Sequence, residues 1–268
     1  MRIIALLALR NEALYLEHCL THLADQGIET LVMDNDSTDD SLEIARSFLG
    51  RGVLGVERLP YPGYYDWQGI LRRKEQLATE LDADWFIHHD ADEIRQSPIP
   101  GQTLSEAIAA ADAAGFDAID FREFVFLPTG RDLDARGADY VTALPHAYYF
   151  QPHPEHRVNA WKARGQSVDL VSSGGHRAEF AGRRLSPERL ILRHYPFLSW
   201  NHLVDKYRHS RRYSDYEVQE LGWHGKRACF DEGEAWLPNI EDLIRPDADG
   251  WQTDRVWTSH PFLGGEQP

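Results

Sequence analysis

The sequence predicts an α/β protein whose mostly parallel sheet is flanked by helices. Over roughly the first 130 residues, short continuous apolar runs alternate with helix-period segments, which is the signature of β-α-β units. Those runs lack the apolar–polar alternation of a half-exposed strand, so they suit strands covered on both faces. The chain has 268 residues, 42% of them apolar, enough for a sizeable core and inconsistent with global disorder.

Taken in order, Arg2 to Leu9 is the first strand. Asn11 to Gln26 is a helix with Leu16, Leu20 and Leu23 on one stripe and Gly27 as its stop. Glu29 to Met33 is a second strand. After the polar cluster Asp34 to Asp40, a helix carries Leu42, Ile44, Ala45 and Phe48 up to Gly50. Val53 to Leu59 and Trp85 to His88 are further strands, separated by a helix with basic residues near its start, Gly69 to Leu81. Thr103 and Glu106 have the spacing of a capping box for an Ala-rich helix ending at Gly115, and Phe116 to Leu127 is strand-like. Beyond this, Trp161 to Arg164, Ser167 to Ser172 and Arg189 to His194 suit short strands, and Ser199 to Leu221 suits a helix. The remainder is rich in Trp, Gly and Pro without period. The expected organisation is a Rossmann-like domain over 1–198, with a helical, aromatic-rich C-terminal extension over 199–268 packed on it.

Charge narrows the function. With 28 basic against 43 acidic residues the net charge is −15, which repels phosphate backbones and speaks against general nucleic-acid binding. The charge is uneven: Arg157 to Arg227 holds 14 Lys or Arg and 7 Asp or Glu. Most of those basic residues are expected to ion-pair within the fold, and a minority to face an anionic ligand. Cys19 and Cys229 form no CxxC pair, which fits a reducing compartment. Ile3 to Leu9 is too short to span a bilayer and has no signal-peptide cleavage site after it. A cytoplasmic protein without a transmembrane segment is expected, with room for peripheral membrane contact.

In open parallel sheets, ligands bind beyond the carboxyl ends of the strands. Three segments occupy such positions: Arg10–Asn11–Glu12, Asp34–Asn35–Asp36 and His89–Asp90–Ala91–Asp92–Glu93. If extended, Asp90 and Asp92 point to one side with Cα atoms roughly 6.6 Å apart. Converging carboxylates repel unless a cation lies between them, and hard oxygen ligands suit Mg²⁺ or Mn²⁺ together with substrate phosphate oxygens. The competing explanation is a solvated acidic turn. In Asp34 to Ser41, helix capping alone accounts for Ser37 and Asp39 but not for Asp34 and Asn35, which sit where a ribose or base edge would be read.

These three segments, in order, resemble the GT-A nucleotide-sugar glycosyltransferases, specifically the family 2-like group. Leu9–Arg10–Asn11–Glu12 is similar to the end of that group's first strand, Asp34–Asn35–Asp36–Ser37–Thr38–Asp39 to its nucleotide-binding turn, and His89–Asp90–Ala91–Asp92–Glu93 to its metal-binding DXD. The resemblance covers the first 130 residues well and the rest loosely. It implies a metal-dependent transfer of sugar from a nucleotide-diphosphate-sugar donor to a saccharide, lipid-linked or protein acceptor, with Mn²⁺ or Mg²⁺ as cofactor and polysaccharide or glycoconjugate assembly as the setting. It also implies roles. Asn11, Glu12, Asp34, Asn35 and Asp90 would line the nucleotide. Asp92, with Asp90, would hold the cation.

Gly69 and one of Arg72, Arg73 or Lys74 would match the Gly and Arg that the group carries on the helix before its DXD strand, Arg73 being the choice made here. His194 is the late metal ligand expected ahead of His176. Lys162 and Lys206 would neighbour the diphosphate, and so would Arg208. Glu179 would be the base of an inverting transfer, with Glu123 and Asp169 as rivals. Three other readings compete. A sugar-nucleotide pyrophosphorylase would carry a Gly-rich loop where Arg10–Asn11–Glu12–Ala13 stands. A metallohydrolase would be built on His88, His89, Asp90 and Asp92, although adjacent strand residues such as the two His face opposite ways. The third is a non-catalytic nucleotide- or carbohydrate-binding module.

Overall fold

The alternating apolar runs do form the strands and helices of an α/β layer structure, seen in a computed structural model that describes residues 1–165 and 167–267. In chain order the strands are β1 (Ile3–Leu9), β2 (Glu29–Asp34), β3 (Val53–Arg58), β4 (Trp85–His89), β5 (Glu93–Gln96), β6 (Ala118–Phe126), β7 (Ala147–Phe150), β8 (Val158–Lys162), β9 (Leu190–His194) and β10 (Val256–Trp257). The main helices are α1 (Ala13–Asp25), α2 (Ser41–Ser47), α3 (Trp67–Glu80) and α4 (Leu104–Ala113).

The chain divides into two interleaved units rather than at residue 198. The first comprises 1–61, 67–121 and 155–192; the second comprises 62–66, 122–154 and 193–268. Within the first unit Ala118 to Asp120 pair with β8, and within the second Glu123 to Phe126 pair with β7.

In the first unit β1 lies between β2 and β4, all parallel, with β3 beyond β2 and β8 antiparallel on the far side of β4. Ile4, Ala5, Leu6 and Leu7 are fully buried, as a central parallel strand requires. α1 buries Leu16, Cys19, Leu20 and Leu23, and Gly27 then turns the chain at φ +74°. A Cβ at Gly27 would lie 2.7 Å from Ser105 Oγ. The capping box forms as the sequence predicts: Thr103 accepts from Glu106 N–H, and the Glu106 carboxylate accepts from Thr103 N–H.

In the second unit the aromatic tail is core. Phe197, Trp200, Trp257 and Phe262 pack with Tyr148 and Phe150. The helix expected over Ser199 to Leu221 is broken. An α-helical turn (Trp200–Val204) passes into a π-helical stretch (Asp205–Ser210), and a new helix (Asp215–Gln219) begins where Ser214 caps Glu217 N–H. Ser167 to Ser172 likewise forms no strand; Val171–Ser173 is a 3₁₀ turn. No described helix is long and apolar enough to cross a membrane.

Candidate nucleotide and metal site

The strand register gathers the three suspected segments at one sheet edge. Leu9, the last residue of β1, pairs with Asp34, and Leu7 pairs with His89, so the chain leaves β1, β2 and β4 on the same side. The turns after β1 and β2 are then laced together. Thr38 N–H donates to Asn11 Oδ1 at 2.7 Å, Glu12 N–H to Ser41 Oγ at 2.8 Å and Ala13 N–H to Asp39 Oδ2 at 3.2 Å. Asn11 therefore spends its side chain on the turn, at φ +56°. Arg10 donates to the Asn35 carbonyl at 2.6 Å and to the Asp36 carbonyl, with its guanidinium 3.6 Å from the Tyr61 ring centroid.

Asp34 and Asn35 are both buried. Asp34 accepts from Ser37 N–H at 3.3 Å. The Asn35 amide donates from Nδ2 to the carbonyls of Leu59, at 2.9 Å, and Pro60, at 3.2 Å. Those two acceptors fix the amide orientation, because carbonyls cannot donate. Asn35 Oδ1 is left buried with no hydrogen-bond partner among the described residues. A buried acceptor held rigidly from its other end is what reading an N–H on a base edge requires.

The acidic turn after β4 rests on a buried charged layer that the sequence pattern did not reveal. Lys74, fully buried on α3, donates to His88 Nδ1 at 3.1 Å and to the His89 carbonyl at 3.2 Å, and lies 3.9 Å from Asp90 Oδ1. Burial pushes the Lys74 ammonium down to about 8, resisted by Asp90 and Glu93. Burial, then Lys74, holds His88 well below the usual imidazole range, so it stays neutral. Behind this, Arg95 is fully buried among Glu93 Oε2 at 2.5 Å, His89 Nδ1 at 2.6 Å and Asn159 Oδ1 at 3.0 Å. Glu93 also accepts from Asp90 N–H at 3.2 Å, coupling this layer to the turn. His89, too, is held neutral, mainly by burial and then by Arg95. Each imidazole meets a cation through Nδ1, and His88 Nε2 stands 4.0 Å from Asp90 Oδ1.

Of the two acids, Asp90 is about one-third exposed and Asp92 nearly buried. The described residues contain no cluster of three or more His, Cys, Asp or Glu side chains able to close a complete metal site. Asp90 to Glu93 form a turn, Glu93 N–H donating to the Asp90 carbonyl at 3.2 Å, instead of the extended run that would set Asp90 and Asp92 on one side. Their carboxylates are hard oxygen donors of the kind that Mg²⁺ or Mn²⁺ takes together with water and phosphate.

Trp67 and the Gly174–Gly175 turn close this region. Trp67 Nε1 donates to the Gly174 carbonyl at 2.8 Å, and Asn159 Nδ2 to that of Gly175 at 3.0 Å. A Cβ at Gly175, where φ is +84°, would lie 2.9 Å from Trp67 Cζ2 and 3.0 Å from Leu71 Cδ2. Gly175→Ala is therefore expected to cost about 2 kcal/mol and lower Tm by roughly 5 °C in a thermal melt.

Several expected site residues lie elsewhere. Arg73 is held by Glu57, at 2.7 Å, and Glu80, at 2.9 Å; its neighbour Lys74 is the one that reaches the acidic turn. Lys162 pairs in register with Trp85, the first residue of β4, and binds Asp112 at 2.5 Å. That is the wrong end of the strand, roughly 16 Å from Asp90 at an extended rise, so Lys162 is no diphosphate neighbour. Glu179 has its two carboxylate oxygens on Arg177 and Arg183, each at 3.0 Å, and is not presented as a base. Glu179→Gln is expected to keep more than about one-tenth of turnover, since such half-exposed pairs contribute about 0–1 kcal/mol. A loss beyond a hundredfold in a steady-state assay would restore Glu179 as the base. His176 receives Arg157 Nη1 at 3.1 Å and stacks on His156. In the second unit, His194 Nδ1 bonds the buried Glu123 at 2.6 Å, and Lys206 Nζ donates to the Pro196 carbonyl at 2.8 Å.

Residues 5–121 match the model of the family described as Glycosyl transferase family 2. An uncharacterized glycosyltransferase of Rickettsia bellii (strain RML369-C) is 30% identical over 92 residues, 34% of this chain and 28% of the relative. The chain thus spans little more than a quarter of the curated relative it matches. Among solved structures, S. aureus TarS aligns with a TM-score of 0.46 and 14% identity, covering 73% of this chain and 37% of TarS. A shorter TarS, residues 1–349, in complex with UDP aligns with a TM-score of 0.46 and 15% identity, covering 73% of this chain and 60% of its own.

Proposed function

We propose that this chain is a metal-dependent glycosyltransferase moving a sugar from a nucleotide-diphosphate donor to a hydroxyl of a saccharide, lipid-linked or protein acceptor. The observation that carries the reading is the register that sets the buried Asp34–Asn35 pair and the Asp90–Asp92 turn at one edge of a parallel sheet. Asn35 Oδ1 accepts from an N–H on the base edge, and Asp34 stands beside the ribose. Asp92, with Asp90, holds Mg²⁺ or Mn²⁺. A bound cation supplies charge stabilisation to the departing diphosphate. Lys74 orients Asp90 from below, and the Glu93–Arg95 layer fixes the backbone of the turn. With Glu93 bound to Arg95 and His88 neutral, Asp90 and Asp92 are the anionic groups that receive the ion.

A thermal-shift panel of UDP, GDP, CDP, ADP and dTDP, each with and without Mn²⁺, tests this. A ligand that binds only the folded state raises Tm by mass action. A cation-dependent shift with one nucleotide supports the reading and names the base. No shift with any of them, at concentrations about a hundredfold above an expected micromolar Kd, overturns it.

A further inference from the structure

The second unit contains a cationic aromatic cluster that the proposed transfer chemistry does not use. Tyr65 N–H donates to the Arg212 carbonyl at 2.7 Å, which fastens residues 62–66 beside 211–213. The His224 ring stacks on Tyr213 with centroids 4.9 Å apart and planes at 25°. Tyr65 meets both rings edge-on, at 6.1 Å and 5.6 Å, and the Arg211 guanidinium stands 5.4 Å from the Tyr65 centroid. Arg227 lies close enough to Arg211, Tyr207, Tyr213 and Tyr65 to interact electrostatically with all four.

Three polar atoms here are buried with no hydrogen-bond partner among the described residues: Tyr213 Oη, His224 Nε2 and Arg227 Nε. Nor does Arg227 have a carboxylate partner among them, although most buried guanidinium groups are paired. The backbone adds to the cost. His224 is one of few non-glycine residues at positive φ, +59°, and the preceding Asp205–Ser210 stretch is π-helical, a form that recurs at functional sites. Burial, then Arg227 and Arg211, keeps the imidazole neutral, so it adds a polar contact without adding charge. A folded chain gains nothing from burying Tyr213 Oη, His224 Nε2 and Arg227 Nε without partners unless an anion satisfies them. Several donors from different directions match the oxygens of a tetrahedral anion better than a planar carboxylate.

We propose that Arg227, Arg211, Tyr213 and His224 form a phosphoryl-binding site in the second unit, for the phosphate of a phosphorylated acceptor, an assignment that rests on the proposed transfer. The test is calorimetric titration of the full chain with inorganic pyrophosphate in the presence of a chelator, so that the acidic turn contributes no cation-dependent binding. Wild type is expected to bind. Arg227→Met should weaken binding by at least about tenfold, and Tyr213→Phe by about threefold to tenfold. The unliganded Tm of Arg227→Met should stay level or rise, because an uncompensated guanidinium has been removed.

Asp92→Ala is expected to bind pyrophosphate like wild type, which separates this site from the cation site. Competition by glycerol phosphate supports a phosphorylated acceptor; competition by UDP but not by glycerol phosphate would overturn that assignment. No binding to wild type at about 10 mM pyrophosphate would overturn the proposal. So would unchanged affinity in Arg227→Met, or a fall of several degrees in its unliganded Tm.

Discussion

Replacing Asp92 with alanine is expected to lower transferase turnover by about 10³-fold while the protein still melts cooperatively. Asp92 stands at the strand end where the proposed cation meets the diphosphate. Removing a group that stabilises charge developing in the transition state typically costs 10²–10³ in rate. The loss should fall mainly on kcat, because the leaving diphosphate gains charge as the sugar bond breaks. Asp90→Ala is expected to be milder, about tenfold to a hundredfold, because Asp90 is more exposed and is already oriented by Lys74. Steady-state kinetics with the nucleotide sugar identified by the thermal panel measures both. Turnover of Asp92→Ala within threefold of wild type would contradict a role for this carboxylate in holding the ion.

The largest stability effect is expected from Glu93→Ala. The change strips the carboxylate from a fully buried guanidinium, Arg95, and takes an acceptor from Asp90 N–H. Breaking a buried ion pair from one side costs about 3–5 kcal/mol, because the remaining charge has no solvent to return to. For a chain of this size that corresponds to a fall in Tm of roughly 10 °C or more. Changing both partners together, Glu93→Met with Arg95→Met, should recover part of the loss, since an apolar pair of similar volume leaves no uncompensated charge. His89 and Asn159 would still lose the Arg95 contacts, so full recovery is not expected. Calorimetric melts of the three proteins check this. A fall below about 2 °C for Glu93→Ala would mean that water reaches Arg95 in solution.

How much of this was legible in the sequence depends on which physical signal each part left. β1, β2 and β4 could be read because strands buried on both faces leave uninterrupted apolar runs, and the residues after them are where such sheets bind ligands. Thr103 and Glu106 could be read because a capping box is a fixed local spacing. β5 was missed because its inward residues, Glu93 and Arg95, are charged, and a strand stabilised by a buried ion pair has no hydropathy pattern. The preference for Arg73 over Lys74 had the same origin. One residue of rotation on α3 decides which side chain points at the sheet, and the buried one is a lysine, a residue ordinarily expected outside.

The long-range pieces left even less. Nothing local distinguishes Lys162, the last residue of β8 and the register partner of Trp85 at the start of β4, from a lysine near Asp90; antiparallel register decides it. The expected helix over Ser199 to Leu221 failed at Ser214, where a capping side chain outweighed the apolar spacing of Leu203, Tyr207 and Tyr213.

In the proposed donor complex the Asp34–Asn35 and Asp90–Asp92 turns together hold a nucleotide diphosphate through a divalent cation. Isothermal titration of the matching nucleoside diphosphate into wild type and Asp92→Ala, with Mn²⁺ and again with a chelator, tests it most directly. The expected result is tight binding to wild type only when Mn²⁺ is present, weakened at least about tenfold in Asp92→Ala. Equal affinity with and without the cation, or in both proteins, would contradict the account.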